Sequence, residues 1–299
     1  MDLTISTKKN ILRNLIMGRD YRGDIVKIID DIFLNYCIEF FKRVISAKLI
    51  DTDITADWYK KEFLNPDLDK REIAINSGLN IKTISNIYNT SKKEVVIEAS
   101  EENYERLYNV IEELVKNDEQ LDIKLTIKFK DVSVDLTINE SLIVINTLAV
   151  KRAEIRGGAW STVGKQIEKP LMITLCKLYN VKHEYIDQTD NPESFREVDF
   201  YILSADSKKL RCEVKLMGKG NPESADAIFA REPDIFIADK MSDKNKTQSD
   251  KLGVRWVELR AEKGYARFAN VLSELNVPYE DIKIDLSKKI DGVFSEIFS

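Results

Sequence analysis

The stretch RCEVKLMGKGN, residues 211–221, sets a carboxylate and an ammonium two residues apart inside an apolar run. Leu210, Cys212, Val214 and Leu216 alternate with Arg211, Glu213 and Lys215. A strand's period of two sends the apolar set to one face and the charges to the other. The preceding FREVDFYILS reads as a second strand, with Val198, Phe200 and Ile202 on one face and Asp199, Tyr201 and Leu203 on the other. ADSKK supplies a turn between them. If the two strands form a hairpin, Asp199 comes near Glu213 and Lys215. Two carboxylates held a few ångströms apart repel each other and favour a hard divalent cation. Oxygen donors without imidazole or thiolate select Mg2+ over zinc. Mg2+ suits phosphate substrates: the metal stabilises charge on the scissile phosphate and leaving oxygen, while a lysine beside it orients a water for attack. The chemistry expected of Asp199, Glu213 and Lys215 is phosphodiester hydrolysis. The bland alternative is a solvated sheet face with a surface ion pair, catalytically silent.

These residues need a scaffold, and the surrounding segments supply a mixed one. From VGKQIEKPLMITLCKLYN onward the order reads helix, strand (VKHEYID), polar loop, strand (FREVDFYILS), strand (LRCEVKLM), glycine loop, helix (PESADAIFAR), strand (DIFIAD), strand (RWVELR) and helix (YARFANVLSELN). That order argues for an α/β layered architecture, and EDIKIDLSKKIDGVFSEIF reads as a terminal helix. The first half looks helical, with Ile25, Ile28, Ile29, Ile32, Phe33, Cys37 and Phe40 at 3.6-type spacing along one long helix. EVVIEA reads as a strand, followed by an amphipathic helix capped by Ser100. LDIKLTIKFKDVSVDLTI reads as two strands around a turn near Asp131, and NESLIVINTLAVKRAEI as a helix. RGGAWSTVGKQ is the expected loop after it, with Gly157 and Gly158 freeing the backbone.

Counting from Lys70, Ala74 falls at the fifth place and Gly78 at the ninth, with Ile73, Leu79, Ile84 and Ile87 where two helices crossing at a tight turn would touch. The pattern resembles a helix-turn-helix, whose second helix, about residues 81–88, would present Asn80, Lys82, Thr83, Ser85 and Asn86 to a major groove. An ordinary helical hairpin that touches no DNA is the alternative.

Composition narrows the classes. A chain of 299 residues, 43% hydrophobic and 32% charged, can bury a sizeable core and is neither disordered nor membrane-embedded. No apolar run approaches the roughly 20 residues of a membrane span, and the N-terminus lacks a signal peptide's apolar stretch, so a cytoplasmic location is expected. Cys37, Cys176 and Cys212 sit far apart among apolar neighbours, as buried free thiols do. His183 is the only histidine, which excludes zinc sites built on a histidine pair, and its flanks suit a structural role. The net charge of −5 argues against a chain coated in positive charge. Yet Lys151, Arg152, Arg156, Lys165, Lys169 and Lys177 face only Glu154 and Glu168 over residues 151–177. Arg156, Lys165 and Lys219 are candidates for phosphate contacts, or solvated loop charges. Trp160 is a candidate base contact or a core residue, and Asn221 and Glu223 could read base edges.

Asp199, a strand and turn as spacer, then Glu213-Val214-Lys215 resembles the motif of the PD-(D/E)xK nucleases. RGGAWSTVGKQIEKPLM with EVKLMGKGNPESADA is similar to type II restriction endonucleases of the CfrBI group. The catalytic resemblance spans about residues 151–260 and does not include the helix-turn-helix-like segment. It implies a restriction-endonuclease-like mixed sheet flanked by helices, Mg2+ held by Asp199, Glu213 and the carbonyl of Val214, and Lys215 positioning the attacking water. It also implies a glutamate on the preceding helix, for which Glu168 is the match; a structural ion pair with Lys165 or Lys169 is the other reading of Glu168. Val198 stands where the motif's name has proline. Pro170 follows Glu168 by two residues, so a helix there kinks or begins at the proline.

The expected protein is a Mg2+-dependent, sequence-specific endonuclease on double-stranded DNA, a homodimer because two strands need two sites. Its expected division is residues 1–92, helical, and residues 93–299, the nuclease. The alternatives are a repair or junction-resolving nuclease of the same fold, and a helix-turn-helix regulator with no active site.

Overall fold

The computed structural model describes residues 2–49, 55–117, 124–184, 200–216, 228 and 232–298. Asp199, Lys219, Asn221 and Glu223 lie outside them. The chain divides into two compact units, one of Met1–Val26 with Trp160–Ser299 and the other of Lys27–Ala159. The boundary expected between residues 92 and 93 falls inside the second unit.

The chain opens with α1 (Ile5–Ile16), capped by Thr4, whose hydroxyl accepts from Thr7 N. Ile11, Leu12, Leu15 and Ile16 are wholly buried along its one apolar stripe. The long helix expected around residue 30 is α2 (Arg22–Leu49).

The unit of residues 27–159 takes the rest of α2 and adds α3 (Ala56–Phe63), α4 (Lys70–Asn76), α5 (Ile81–Tyr88) and α6 (Lys93–Asn117). A hairpin of β1 (Leu125–Phe129) and β2 (Val132–Leu136) follows, pairing Phe129 with Val132 around Lys130 and Asp131, with Lys130 at φ 54°. The first part of α7 (Ile138–Leu178) completes the unit. Phe40, Phe63, Ile73, Tyr104 and Ile143 share its core, where the Tyr59 and Tyr104 rings stack with centroids 4.6 Å apart. Two features differ from the sequence expectation. EVVIEA is the start of α6, not a strand, and Ser100 lies buried inside that helix rather than capping it. Val95, Val96 and Ile97 favour strand by their branching, but Val96 and Ala99 bury together against Ala74 and Ile84, and packing on one helical stripe outweighs propensity.

The unit of residues 1–26 and 160–299 is built on one mixed sheet. After α7 come β3 (His183–Glu184), β4 (Phe200–Leu203), β5 (Lys209–Lys215), β6 (Ile235–Ala238), α8 (Asp243–Lys251), β7 (Arg255–Glu258), α9 (Gly264–Glu274) and α10 (Leu286–Ile297). The strands lie in the order β3-β4-β5-β6-β7; the β3-β4 and β4-β5 pairs are antiparallel, β5-β6 and β6-β7 parallel. The expected hairpin is therefore present, its turn held by Ser204 Oγ, which accepts from Lys208 N. The all-apolar run Ile235–Ala238 is buried throughout, as a strand covered on both faces must be. His183 serves structure: its Nδ1 lies 3.1 Å from the Val181 carbonyl and its ring stacks on Phe200. No helix of the described residues is long and apolar enough to cross a membrane.

RGGAWSTVGKQ is not a loop: it lies within α7, which continues through Pro170. Ile155, Ala159, Val163, Ile167 and Leu171 recur every four residues and are all buried, a stripe that holds the helix despite three glycines and a proline. Gly158 has a positive reason to be small, since a Cβ there would stand 3.2 Å from the Arg71 guanidinium, which pairs with Glu154 at 2.8 Å.

Candidate active site

β5 carries the charges where the alternation places them, but their surroundings are not those of an open face. Leu210, Cys212 and Val214 are buried, and so is Glu213, at 0% exposure. Glu213 sits between two paired strands: its neighbour Cys212 pairs with Phe200 on β4, and Glu213 itself pairs with Phe236 on β6. Lys215, two residues on and on the same face, brings its Nζ to 3.0 Å from Glu213 Oε1. The same Nζ lies 3.6 Å from Glu168 Oε2 on α7, and Glu168 Oε1 accepts a 3.3 Å hydrogen bond from Leu216 N. Gly164, one turn before Glu168, leaves room for that carboxylate, because a Cβ there would be 3.4 Å from Oε1.

Two carboxylates and one ammonium thus converge, with side-chain exposures of 0% for Glu213, 16% for Glu168 and 28% for Lys215. Burying a carboxylate without a compensating charge costs several kcal/mol. An ion pair in this position is therefore a strong local constraint, unlike the surface pair of the bland alternative. All the donor atoms are oxygens, and the negative charge exceeds the positive, which fits a hard cation. Cys212, beside Glu213, adds no nucleophile, since burial pushes its thiol well above the ordinary value.

The remaining candidates are distributed. Val214 is buried between Glu213 and Lys215. Lys165 is exposed and Trp160 half-buried in the unit that holds the sheet; Arg156 is exposed on the other part of α7. Asn80 caps α5 and Lys82 and Ser85 lie within it, in the unit of residues 27–159, after the turn from α4. There Gly78 adopts φ 88°, Leu79 N donates to the Ala74 carbonyl, and Asn80 caps α5 by accepting from Thr83 N. Ala74 and Ile84 pack together as expected, with Leu79 against them, but Ile87 is 67% exposed and does not join the helix contact. Lys82 is exposed and Ser85 half-buried. Asp199, Lys219 and Asn221 lie outside the described residues, among which no group of three or more His, Cys, Asp or Glu could hold a metal.

Sequence reasoning passed over Asp239, which is wholly buried just after β6 and accepts a 3.0 Å hydrogen bond from the buried Tyr21 hydroxyl. Burial, then the Asp239 charge, push the Tyr21 phenol above its ordinary range. The visible signal was a carboxylate ending the apolar run IFIA, at the C-terminal end of a parallel strand where sites gather.

The family model of the CfrBI restriction endonuclease matches residues 6–246 of this chain. No curated protein and no solved structure matches it.

Proposed function

The chain belongs to the CfrBI restriction endonuclease family, and from that premise we propose that it is a Mg2+-dependent type II enzyme of the PD-(D/E)xK kind, hydrolysing phosphodiester bonds of double-stranded DNA at Glu213 and Lys215. The observation that carries this reading is the fully buried Glu213, whose carboxylate lies 3.0 Å from Lys215 Nζ beside Glu168. Asp199 completes the set in this proposal; in support, the residue after it, Phe200, pairs with the residue before Glu213.

The roles follow from charge. Glu213, Asp199 and the Val214 carbonyl would hold Mg2+, which when bound supplies positive charge at the scissile phosphate and the leaving oxygen. Lys215 donates to the attacking water and aims it at phosphorus. Glu168 and Glu213, both within ion-pair reach of its ammonium, fix the direction of the lysine. The α4-α5 pair, in the same proposal, presents Lys82, Ser85 and Asn86 to DNA, with Asn80 ordering the start of α5. Arg156, Trp160, Lys165, Lys219 and Asn221 add contacts to backbone and bases. Two copies act on the two strands of a symmetric site, in the cytoplasm of a prokaryotic cell.

The test is a cleavage assay on long linear duplexes of known sequence, with Mg2+ and with EDTA. Fixed bands are expected only with the metal. Glu213→Gln and Lys215→Met should lower the rate at least about 100-fold, the scale of losing one electrostatic contact in a transition state, while binding of uncut duplex persists. Undiminished cleavage by either variant would refute the assignment.

A further inference from the structure

A cleft of about 410 Å³ opens between β7, α8 and the start of α9. Trp256 and Glu258 line it from β7, Lys246 from α8, and Lys263 and Arg267 from around α9. Its lining holds three cations, Lys246, Lys263 and Arg267, against Glu258 and Glu262, so it is net positive within a chain whose net charge is −5.

Strand register relates the cleft to the candidate active site. Glu213 pairs with Phe236, and Phe236 with Trp256; Lys215 pairs with Ala238, and Ala238 with Glu258. Partners in a parallel ladder project to the same face, so Trp256 and Glu258 share the face and strand end of Glu213 and Lys215. Two strand spacings separate the two rows, about 10 Å. Lys215 and Glu258 end their strands, so a DNA strand running along that end of the sheet with one phosphate at Lys215 carries a neighbouring stretch of its backbone over the cleft.

The side chains there are prepared for such a contact. Arg267 Nε donates to the Trp256 carbonyl at 2.7 Å, and its guanidinium lies 3.7 Å from the indole centroid. The indole is pinned in turn, its Nε1 donating to Asp250 at 2.9 Å. The guanidinium is thus held by one hydrogen bond and by the indole ring, while its two Nη groups donate to no acceptor among the described residues. A planar fork with free N–H groups matches two phosphate oxygens at once. Lys246 lies 2.5 Å from the nearly buried Glu258, which fixes that ammonium at the cleft wall. Trp256, Glu258 and Arg267 all fall beyond the residues matched by the family model.

We propose that Arg267, held against the Trp256 indole, grips a backbone phosphate of the substrate DNA close to the scissile one. This rests on the nuclease reading and adds a residue that sets how the strand is laid along the end of the sheet. The test measures binding of duplex DNA by the full chain in EDTA, over a salt series, for wild type, Arg267→Gln and Arg267→Lys. Arg267→Gln should bind about tenfold more weakly and lose about 0.9 from the slope of log K against log salt, one phosphate contact's worth. Arg267→Lys keeps the charge and loses the fork and the stack, so its slope should match wild type while its affinity falls at least about threefold. It also reads the contact if the glutamine variant does not fold. Wild-type affinity and slope in either variant, when the wild type binds and cuts DNA, would overturn the cleft alone. A wild type that neither binds nor cuts duplex DNA would overturn the nuclease reading and the cleft with it.

Discussion

At the scale of single residues, the decisive fact is that Glu213 is ionisable and wholly buried. Its carboxylate is kept in the sheet by the Lys215 ammonium at 3.0 Å. Removing the lysine leaves a buried charge without that partner, which costs about 3 kcal/mol. Lys215→Met should therefore lose roughly that much stability, read as the shift in a urea midpoint. Glu213→Gln keeps the shape and removes the buried charge, so it should lose much less. Equal losses in the two would show that packing, not charge, dominates the position. The pair was legible in the sequence because the strand's alternation places both residues on one face. Glu168 was legible only through the family resemblance: 45 residues separate it from Glu213 in the chain, and no local pattern reports a contact of that range. For the same reason Tyr21 and Asp239 went unread, since a tyrosine and an aspartate on distant segments carry no mutual signal.

At the scale of elements, local chemistry and tertiary contacts compete. The turn between α4 and α5 follows its residues closely: Gly78 takes φ 88°, which an L side chain resists, and a Cβ there would meet Asn103 Nδ2 at an ordinary 3.5 Å. The strain from Gly78→Ala is thus in the backbone, and a loss of about 1–2 kcal/mol is expected. Gly78→Asn should lose less, because asparagine tolerates the left-handed region. Denaturant midpoints of the two variants check the order. Elsewhere packing prevailed over local preference. The β-branched run at residues 95–97 is helical because Val96 and Ala99 bury on one stripe, and residues 156–166 are helical through their three glycines because Ala159 and Val163 are core residues. Both were misread in the sequence from composition where the four-residue spacing of the buried positions held the better information. α1, α3 and α8, with Thr4, Thr55 and Ser242 as caps, also escaped notice, although each begins with a residue whose hydroxyl accepts from the first turn.

At the scale of the whole molecule, stability against acid follows from carboxylates tied to cations. The Arg22 side chain, bonded to Asp20, holds that carboxyl below its ordinary 3.8, with the Arg22 backbone N–H and Arg260 acting the same way. Asp206 is lowered by the Ser204 hydroxyl. A depressed folded value means that the stabilisation is complete above the ordinary value and is lost as pH falls through the lower one. Asp20→Asn should therefore narrow the gap in melting temperature between pH 5 and pH 2 relative to wild type; an unchanged gap would remove Asp20 from the acid response. Taken alone, the sequence determined the α/β class, the two hairpins, the strand that carries Glu213 and Lys215, and a family resemblance that the match over residues 6–246 agrees with. Each of these rests on short-range periodicity or a compact motif. Only the tertiary structure decided that Glu213 is buried, that Glu168 reaches Lys215 across from α7, that α7 runs unbroken past Pro170, and that Trp256 and Glu258 share a face with the candidate site. Those facts depend on which distant segments pack together, and burial and register across a sheet are properties of that packing rather than of any one stretch of chain.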